Sequence, residues 1–198
     1  MIEFIIGASL AASAGLNAWM PLFLLGLSDR LLPAVALPAG WSWLSSDVAL
    51  WVVGVLLVLE IVADKIPAID SINDIVQSVL RPASGGIAFG AGSSAQTIAV
   101  DDPAAFFSDN VWVPIAIGIG IALATHVVKA TTRVAANTVT GGLAAPALST
   151  AEDGASFALA AAAIVVPLVA VLILIGLVVA VIVMTRRWRA RRRERAAS

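Results

Sequence analysis

Apolar segments that reach or approach the length of a membrane helix recur along the chain. The clearest of them cover residues 3–27, 48–64, 111–130 and 155–184. A helix needs about 18 to 20 apolar residues to cross the hydrocarbon core of a bilayer, whereas the strands of a membrane barrel are shorter and alternate in polarity. The mean hydropathy is +0.99 and charged residues make up 13 % of the chain, against about a quarter in soluble proteins. The sequence therefore predicts an all-α membrane protein.

We predict about five transmembrane helices in one domain over residues 1–185, followed by a basic tail at 186–198. The spans are placed at 3–27, 48–64, 83–100, 111–130 and 155–184. The third is rich in Gly, Ala and Ser, which favours a helix packed closely against its neighbours. Glu3 stands where a secretory signal would be positively charged, so we expect the first span to be retained.

The charges are distributed unevenly along the chain. Residues 186–198 contain seven arginines and one glutamate, whereas residues 1–185 contain five basic and twelve acidic groups. Positive charge beside a span favours the cytoplasmic side and contact with anionic lipid. We therefore predict a multi-pass protein of the bacterial cytoplasmic (inner) membrane with a cytoplasmic C-terminus. Membrane lipid is an expected partner, and nucleic acid is not.

Polar residues are concentrated between the second and third predicted spans. Glu60 and Asp64 are four residues apart and share one face of the second helix. Pro67 then ends or kinks that helix. From Ser71 the pattern predicts an amphipathic or re-entrant helix that carries polar groups along one side: Asp70, Asn73, Asp74, Gln77 and Arg81.

A second polar stripe follows the fourth predicted span. His126, Lys129 and Arg133 are spaced by three and four residues, which places them on one face of a continued helix. An acidic stripe and a basic stripe are therefore expected on the same side of the membrane. The single histidine fits a hydrogen-bonded structural role at least as well as it fits proton transfer or ligation.

Ionisable residues inside apolar segments cost a few kcal/mol unless they face a protein interior or a water-filled cavity. A substrate or ion site explains them, and a structural ion pair between the two stripes explains them as well. The candidate binding residues are Glu60, Asp64, Lys65, Asp70, Asp74, Arg81, His126, Lys129 and Arg133.

Metal and cofactor chemistry receive little support from the sequence. Glu60 and Asp64 are the best candidate metal ligands, but Lys65 beside them favours charge compensation instead. The chain contains no phosphate loop, nucleophile elbow or zinc helix. We expect no cofactor, and an enzymatic role is not favoured.

These residues also carry a resemblance to a known family. The pattern Glu60-x-x-Ala63-Asp64-Lys65-x-Pro67-x-x-Asp70 is joined by further matching motifs: Ser13-Ala14-Gly15-Leu16-Asn17-Ala18, Pro21-Leu22, Arg81-Pro82, His126-x-x-Lys129-x-x-x-Arg133, Gly141-Gly142, Pro146 and Glu152-Asp153. Over most of residues 5–160 the chain resembles a family of small bacterial integral-membrane proteins known only as a domain of unknown function. The resemblance implies that the charged positions are the signature of the family, and it supplies no activity.

The halves of the chain suggest an internal repeat. The second and fourth spans each run into a polar connector, with Glu60 22 residues before Pro82 and His126 20 residues before Pro146. Transporter folds are often built from repeats that enclose the substrate site. A chain of 20.3 kDa leaves little room for a pathway inside one protomer, so we also expect a homo-oligomer.

Three functions remain open at this point. The first is a transporter or channel for a small polar or ionic substrate, in which a broken helix lines a cavity. The second is an enzyme acting on a lipid headgroup, with Glu60 or Asp64 as base or metal ligand and Arg81, Lys129 or Arg133 binding phosphate. The third is a structural or accessory subunit whose ion pairs only join helices.

Overall fold

The computed structural model describes residues 1–100 and 112–197, except for the side chains at 67–72, 74, 181, 184, 185 and 187–197. These residues form seven α-helices and a short 3-10 helix (Ser42–Ser45), and they contain no strand. The helices are α1 (Ile2–Leu16), α2 (Met20–Leu31), α3 (Asp47–Ala63), α4 (Pro67–Ser93), α5 (Trp112–Thr140), α6 (Ala145–Val165) and α7 (Pro167–Ala197).

The all-α prediction is confirmed, but the prediction of about five transmembrane helices is wrong. Among the described helices, two are long and apolar enough to cross a membrane, namely α5 and α6. The predicted spans 3–27 and 155–184 are each divided by a break, at residues 17–19 and at Val166. The resulting apolar pieces are shorter, as in Ile2–Leu16 and Pro167–Ala180. The two candidate spans still suggest association with a membrane.

The first break turns α1 and α2 into the arms of a hairpin, here called the first hairpin, with residues 17–19 as its tip. Both open ends of this hairpin lie beside the end of α4. A Cβ on Gly7 of α1 would lie 3.1 Å from the ring of Phe89. Beyond α2, Ala36 exchanges backbone hydrogen bonds with Gln96, at 3.0 and 2.9 Å. The tip therefore lies at the far end of the hairpin, within the bundle.

Helix α1 is enclosed by its neighbours, which explains its small residues. Ile6, Leu10 and Ala14 have no exposed surface, and the helix packs on α4, α5 and α6. Gly15 allows a close approach to α5, because a Cβ there would lie 2.5 Å from the Cβ of Thr125. The tip is thereby brought against the polar half of α5.

The second break also reverses the chain, so α6 and α7 form a second hairpin around Val166. Leu148 near the start of α6 and Ile182 in α7 line the same cavity, which requires α7 to run back along α6. Arg186, one turn beyond Ile182, consequently lies at the same end of the bundle as the turn at 141–144. A single span over 155–184 would have placed these two segments on opposite sides.

Helix α4 joins two segments that the sequence analysis had separated. It runs without interruption through Pro82, so the predicted amphipathic segment and the predicted third span are one helix. It packs on α5 at small residues, where a Cβ on Gly85 would lie 2.2 Å from the Ala122 Cβ. Pro82 lies inside a helix, whereas Pro146 lies in the first turn of α6. The internal repeat stays a prediction.

The turn between α5 and α6 depends on glycine. Gly141 and Gly142 have φ values of 63° and 89°, a region that residues with a Cβ rarely adopt. This turn directs α6 back from the polar end of α5, which places Glu152 and Asp153 opposite Lys129 and the tip of the first hairpin.

Candidate functional site

A cluster of charged side chains surrounds the tip of the first hairpin. It is called the ion-pair cluster below, and it contains four carboxylates and four cations, whose formal charges cancel: Glu60, Asp64, Glu152, Asp153, Lys65, Arg81, Lys129 and Arg133. Most of the cluster is removed from solvent. Arg81 is 0 %, Asp64 1 % and Glu60 2 % exposed. Charges buried to this degree are tolerated only when they are paired and hydrogen-bonded.

Two members of the cluster neutralise the helix ends at the tip. The ammonium of Lys129 donates to the carbonyl oxygen of Leu16, the last residue of α1, at 2.7 Å. The backbone N–H of Ala18, just before α2, donates to the two carboxylate oxygens of Glu60 at 3.0 and 3.3 Å. A helix carries partial negative charge at its C-terminus and partial positive charge at its N-terminus. Each end of the broken helix therefore faces a side chain of opposite charge.

Asn17 completes the tip with its side-chain amide. Its oxygen accepts hydrogen bonds from the backbone N–H groups of Trp19 and Met20 at 3.2 and 3.1 Å. Its amide nitrogen donates to Asp153 at 3.0 Å. One side chain thus satisfies two donors of the first turn of α2 and ties the tip to α6.

The acidic residues Glu60 and Asp64, at the C-terminal end of α3, meet basic residues of α4 and α5. Arg81 donates from Nε and Nη2 to Oε1 of Glu60, at 3.3 and 3.0 Å, and its Nη2 lies 3.5 Å from Asp64. Asp64 also accepts from Lys129 at 3.0 Å and from the amide of Asn73 at 2.6 Å. Both carboxylates thus have charged partners on helices other than their own.

The carboxylates of α6 close the other side of the cluster. Glu152 lies 3.2 Å from the ammonium of Lys129 and accepts from Arg133 at 2.7 Å. Asp153 accepts from Lys65 at 3.0 Å. This last pair is the most accessible of the cluster, since the side chain of Lys65 is 35 % exposed.

His126 extends the cluster along the contact between α4 and α5. Nη1 of Arg81 lies 2.9 Å from Nδ1 of the imidazole. A guanidinium only donates hydrogen bonds, so Nδ1 accepts, and the proton of the neutral ring lies on Nε2. That nitrogen faces the hydroxyl of Ser78 at 3.2 Å. The histidine therefore orients Arg81 in this arrangement.

The structure brings together seven of the nine residues that the sequence analysis proposed: Glu60, Asp64, Lys65, Arg81, His126, Lys129 and Arg133. The side chains of Asp70 and Asp74 lie outside the described residues. The acidic and basic stripes meet directly, at the pair of Asp64 and Lys129.

Sequence reasoning missed four members of the site: Asn17, Asn73, Glu152 and Asp153. Asn17 entered only through the resemblance, although an amide inside an apolar segment shortly before a proline is a signal for a broken helix. Asn73 was recognised only as part of the amphipathic face. Glu152 and Asp153 likewise entered only through the resemblance, because they precede the predicted last span and share no helical stripe with the other charged residues.

A metal site receives no support from the described residues. Among them, no group of three or more acidic, histidine or cysteine side chains converges as a metal ligand set would. Glu60 and Asp64 are instead engaged by Arg81 and Lys129. Cations of the protein itself compensate these two carboxylates.

Comparison with other proteins gives a family without an activity. No curated protein and no solved structure matches the chain. Residues 4–187, which contain every residue of the ion-pair cluster, match the family described as Domain of unknown function (DUF4126). Because this match covers nearly the whole sequence, the chain belongs to the DUF4126 family.

Proposed function

We propose that the protein is a transporter or channel for a small polar or ionic substrate, which binds at the tip of the first hairpin. In membrane transport proteins, discontinuous helices place their N-terminal ends toward anionic groups of the substrate and their C-terminal ends toward cations. The tip has the same design, with the end of α1 at Leu16 and the start of α2 at Ala18 meeting inside the bundle.

The observation that carries the proposal is what occupies these two helix ends. The Glu60 carboxylate holds the position that an anionic substrate would take at Ala18, and the Lys129 ammonium holds the position of a cation at Leu16. An entering anion would replace Glu60 on Arg81 and Ala18, and an entering cation would replace Lys129 beside Asp64.

The location and assembly of the protein form part of the same proposal. We place the basic tail that begins at Arg186 on the cytoplasmic side of a bacterial inner membrane. The turn at 141–144 lies at the same end of the bundle as Arg186. Self-association is supported by α3, where Val48, Trp51 and Val58 are 74 %, 76 % and 60 % exposed. An apolar face of this size suits a second copy of the chain or lipid.

A structural role is the second candidate, because the charges of the cluster pair with one another. A clamp between helices would use the same contacts, and losing one partner would strand a charge in the interior. The two functions differ in how a variant behaves that removes one charge but keeps an acceptor oxygen in its place. Glu60→Gln is such a variant, since an amide oxygen at the Oε1 position still faces the N–H of Ala18 and the guanidinium of Arg81, and Arg81 retains Asp64.

The test is a thermal-shift screen of purified wild type and Glu60→Gln against inorganic ions, small metabolites and soluble lipid headgroups. We expect a compound that raises the wild-type midpoint and leaves Glu60→Gln unchanged, with the two unliganded midpoints within a few degrees. Asp47→Asn is the matched control, because its partner Arg30 and Asp47 itself are surface-exposed, and it should respond like wild type.

The compound found in the screen is then supplied to vesicles that contain the reconstituted protein. Uptake by wild type that fails with Glu60→Gln supports transport. Binding without uptake contradicts transport and leaves the headgroup enzyme. A Glu60→Gln protein that is unfolded without ligand favours the clamp.

A further inference from the structure

A cavity of about 640 Å³ lies between α5, α6 and α7, with α1 beneath it. We call it the aliphatic groove. It extends along residues 124–136 of α5, 148–159 of α6 and 174–182 of α7. Its main walls, α5 and α6, are the two helices that are long and apolar enough to span a membrane.

The lining of the groove is hydrocarbon. Of the described residues that line it, all are Ala, Leu, Val or Ile except two threonines, Lys129 and Glu152. The charged atoms of Lys129 and Glu152 are engaged in the ion-pair cluster, so these residues offer their methylene stems to the groove. The hydroxyl of Thr125 donates to the carbonyl of Ile121 at 3.0 Å within its own helix.

The length of the groove matches one leaflet of a bilayer. The segment from Ala124 to Ala136 rises by about 18 Å at about 1.5 Å per residue. The hydrocarbon core of a bilayer is about 30 Å thick, so one leaflet measures about 15 Å. A single lipid chain that lies along the groove would fill it from end to end.

The groove is open along its apolar lining. Val128 on α5 and Val178 and Ile182 on α7 line the groove and are 38 %, 51 % and 46 % exposed. A chain of a surrounding lipid therefore reaches the groove across apolar side chains. Water gains nothing there, because an apolar cavity gives it too few hydrogen-bond partners.

We propose that the aliphatic groove binds one hydrocarbon chain of a membrane lipid. The chain lies against the stems of Lys129 and Glu152, and it separates the ion-pair cluster from the surrounding bilayer on the side where α5 and α6 are joined through Glu152. This inference is independent of transport, because a lipid would occupy the groove in a structural protein too.

A second cavity of similar size provides an internal comparison. It measures about 630 Å³ and lies between α2 and α3. Its lining includes the aromatic rings of Phe23 and Trp51 and the exposed ion pair of Arg30 and Asp47. Its mixed character does not single out a hydrocarbon chain, so it serves as a reference site in the experiment.

The experiment introduces a bulky side chain into the groove from α6. Ala155 lines the groove, and Ala158, three residues further along α6, faces outward. Wild type, Ala155→Phe and Ala158→Phe are reconstituted in phosphatidylglycerol vesicles that contain a phospholipid with a photoreactive diazirine in the middle of one chain. Cross-linked peptides are then mapped by mass spectrometry, and phospholipid retained after purification in mild detergent is measured by native mass spectrometry.

We expect wild type and Ala158→Phe to retain lipid and to cross-link at α5, α6 and α7 along the groove, and Ala155→Phe to lose both several-fold. Equal cross-linking in all three proteins would overturn the proposal, as would cross-links no denser at the groove than between α2 and α3. Cross-links between two copies of the chain at the groove would show a protein partner instead. Where Ala155→Phe lowers the thermal midpoint, Ala124→Leu fills the groove from α5 and carries the same expectation.

Discussion

The chain reverses its direction at the tip of the first hairpin and at Val166, and the two reversals are stabilised in different ways. At Val166, which is 46 % exposed, backbone groups suffice. Its N–H donates to Ala162 at 2.8 Å, and its carbonyl accepts from Val169 at 2.8 Å. Pro167 then starts α7, where its missing N–H is not needed. At the tip, charged side chains from α3 and α5 hold the two helix ends.

The comparison shows that reversing the chain does not require buried charges. Val166 achieves a reversal with one exposed apolar residue and a proline, and each buried charge carries a desolvation penalty of several kcal/mol before pairing. A reversal of the backbone can therefore form without the buried charges of the ion-pair cluster. This excess of buried charge is a physical argument in favour of the proposed site at the tip.

The first prediction tests whether the second reversal exists at all, and its effect is all-or-none. The chain contains no cysteine, so Leu143→Cys, Val166→Cys and Arg186→Cys each introduce a single thiol at an exposed position. In oriented membrane vesicles we expect an impermeant maleimide to label Leu143→Cys and Arg186→Cys from the same side, and Val166→Cys from the other. Labelling of Leu143→Cys and Arg186→Cys from opposite sides would restore a single span over 155–184.

The second prediction compares two arginines that differ in burial. Arg81→Met leaves the carboxylates of Glu60 and Asp64 without their shared partner, and we expect the free energy of unfolding to fall by about 3 to 5 kcal/mol. Arg30→Met breaks an ion pair with Asp47 whose side chains are 47 % and 76 % exposed, so it should cost at most about 1 kcal/mol. Denaturant unfolding in detergent micelles gives both values. Similar losses in the two variants would mean that the cluster is solvated.

Local pattern predicted the helices better than their connections. The apolar segment at 48–64 became α3, and the prediction that the helix begun at 111 continues through Arg133 is confirmed by α5. Apolar composition, however, looks the same in one long helix and in two shorter antiparallel ones. The break at 17–19 depends on tertiary partners from α3, α5 and α6, which no local window contains. The break at Val166 is local, and Pro167 was its signal in the sequence.

The residues of the candidate site also differ in whether local pattern could predict their contacts. Helical spacing correctly placed Glu60 with Asp64, and Lys129 with Arg133, because four residues make about one helical turn. Asn17 and Asp153 are 136 residues apart and meet only because the first hairpin folds back to α6. The pairing of Glu152 with Lys129 and Arg133 could not be predicted for the same reason, since it follows from the turn at 141–144.

The third prediction removes the amide at the tip. Asn17→Ala deprives the N–H groups of Trp19 and Met20 of their acceptor and Asp153 of a donor. We expect a loss of about 1.5 to 3 kcal/mol in unfolding free energy, because a hydrogen bond to a charged group is among those removed. Val166→Ala at the other reversal should cost only about 0.5 kcal/mol. Chemical denaturation of both variants gives the two losses of unfolding free energy. Equal losses would mean that the two reversals are stabilised to the same degree by the side chains removed.

The fourth prediction has the smallest expected effect and concerns the contact between α1 and α6 one turn before the tip. Ser13 donates to the carbonyl of Ser156 at 2.9 Å, and Ser156 donates to the carbonyl of Ser13 at 3.0 Å. The two hydroxyl oxygens also lie 2.8 Å apart. Because both side chains are neutral, a double-mutant cycle of Ser13→Ala and Ser156→Ala should give a coupling energy of about 0.5 to 1 kcal/mol for this contact. Ser9→Ala is the control on the same helix, because the buried Ser9 hydroxyl has no hydrogen-bond partner among the described residues, and its removal should leave the unfolding midpoint unchanged or raise it. A coupling energy as large as the loss of unfolding free energy in Arg81→Met would contradict the comparison. It would mean that neutral contacts along α1 stabilise the first hairpin as strongly as the charges at its tip.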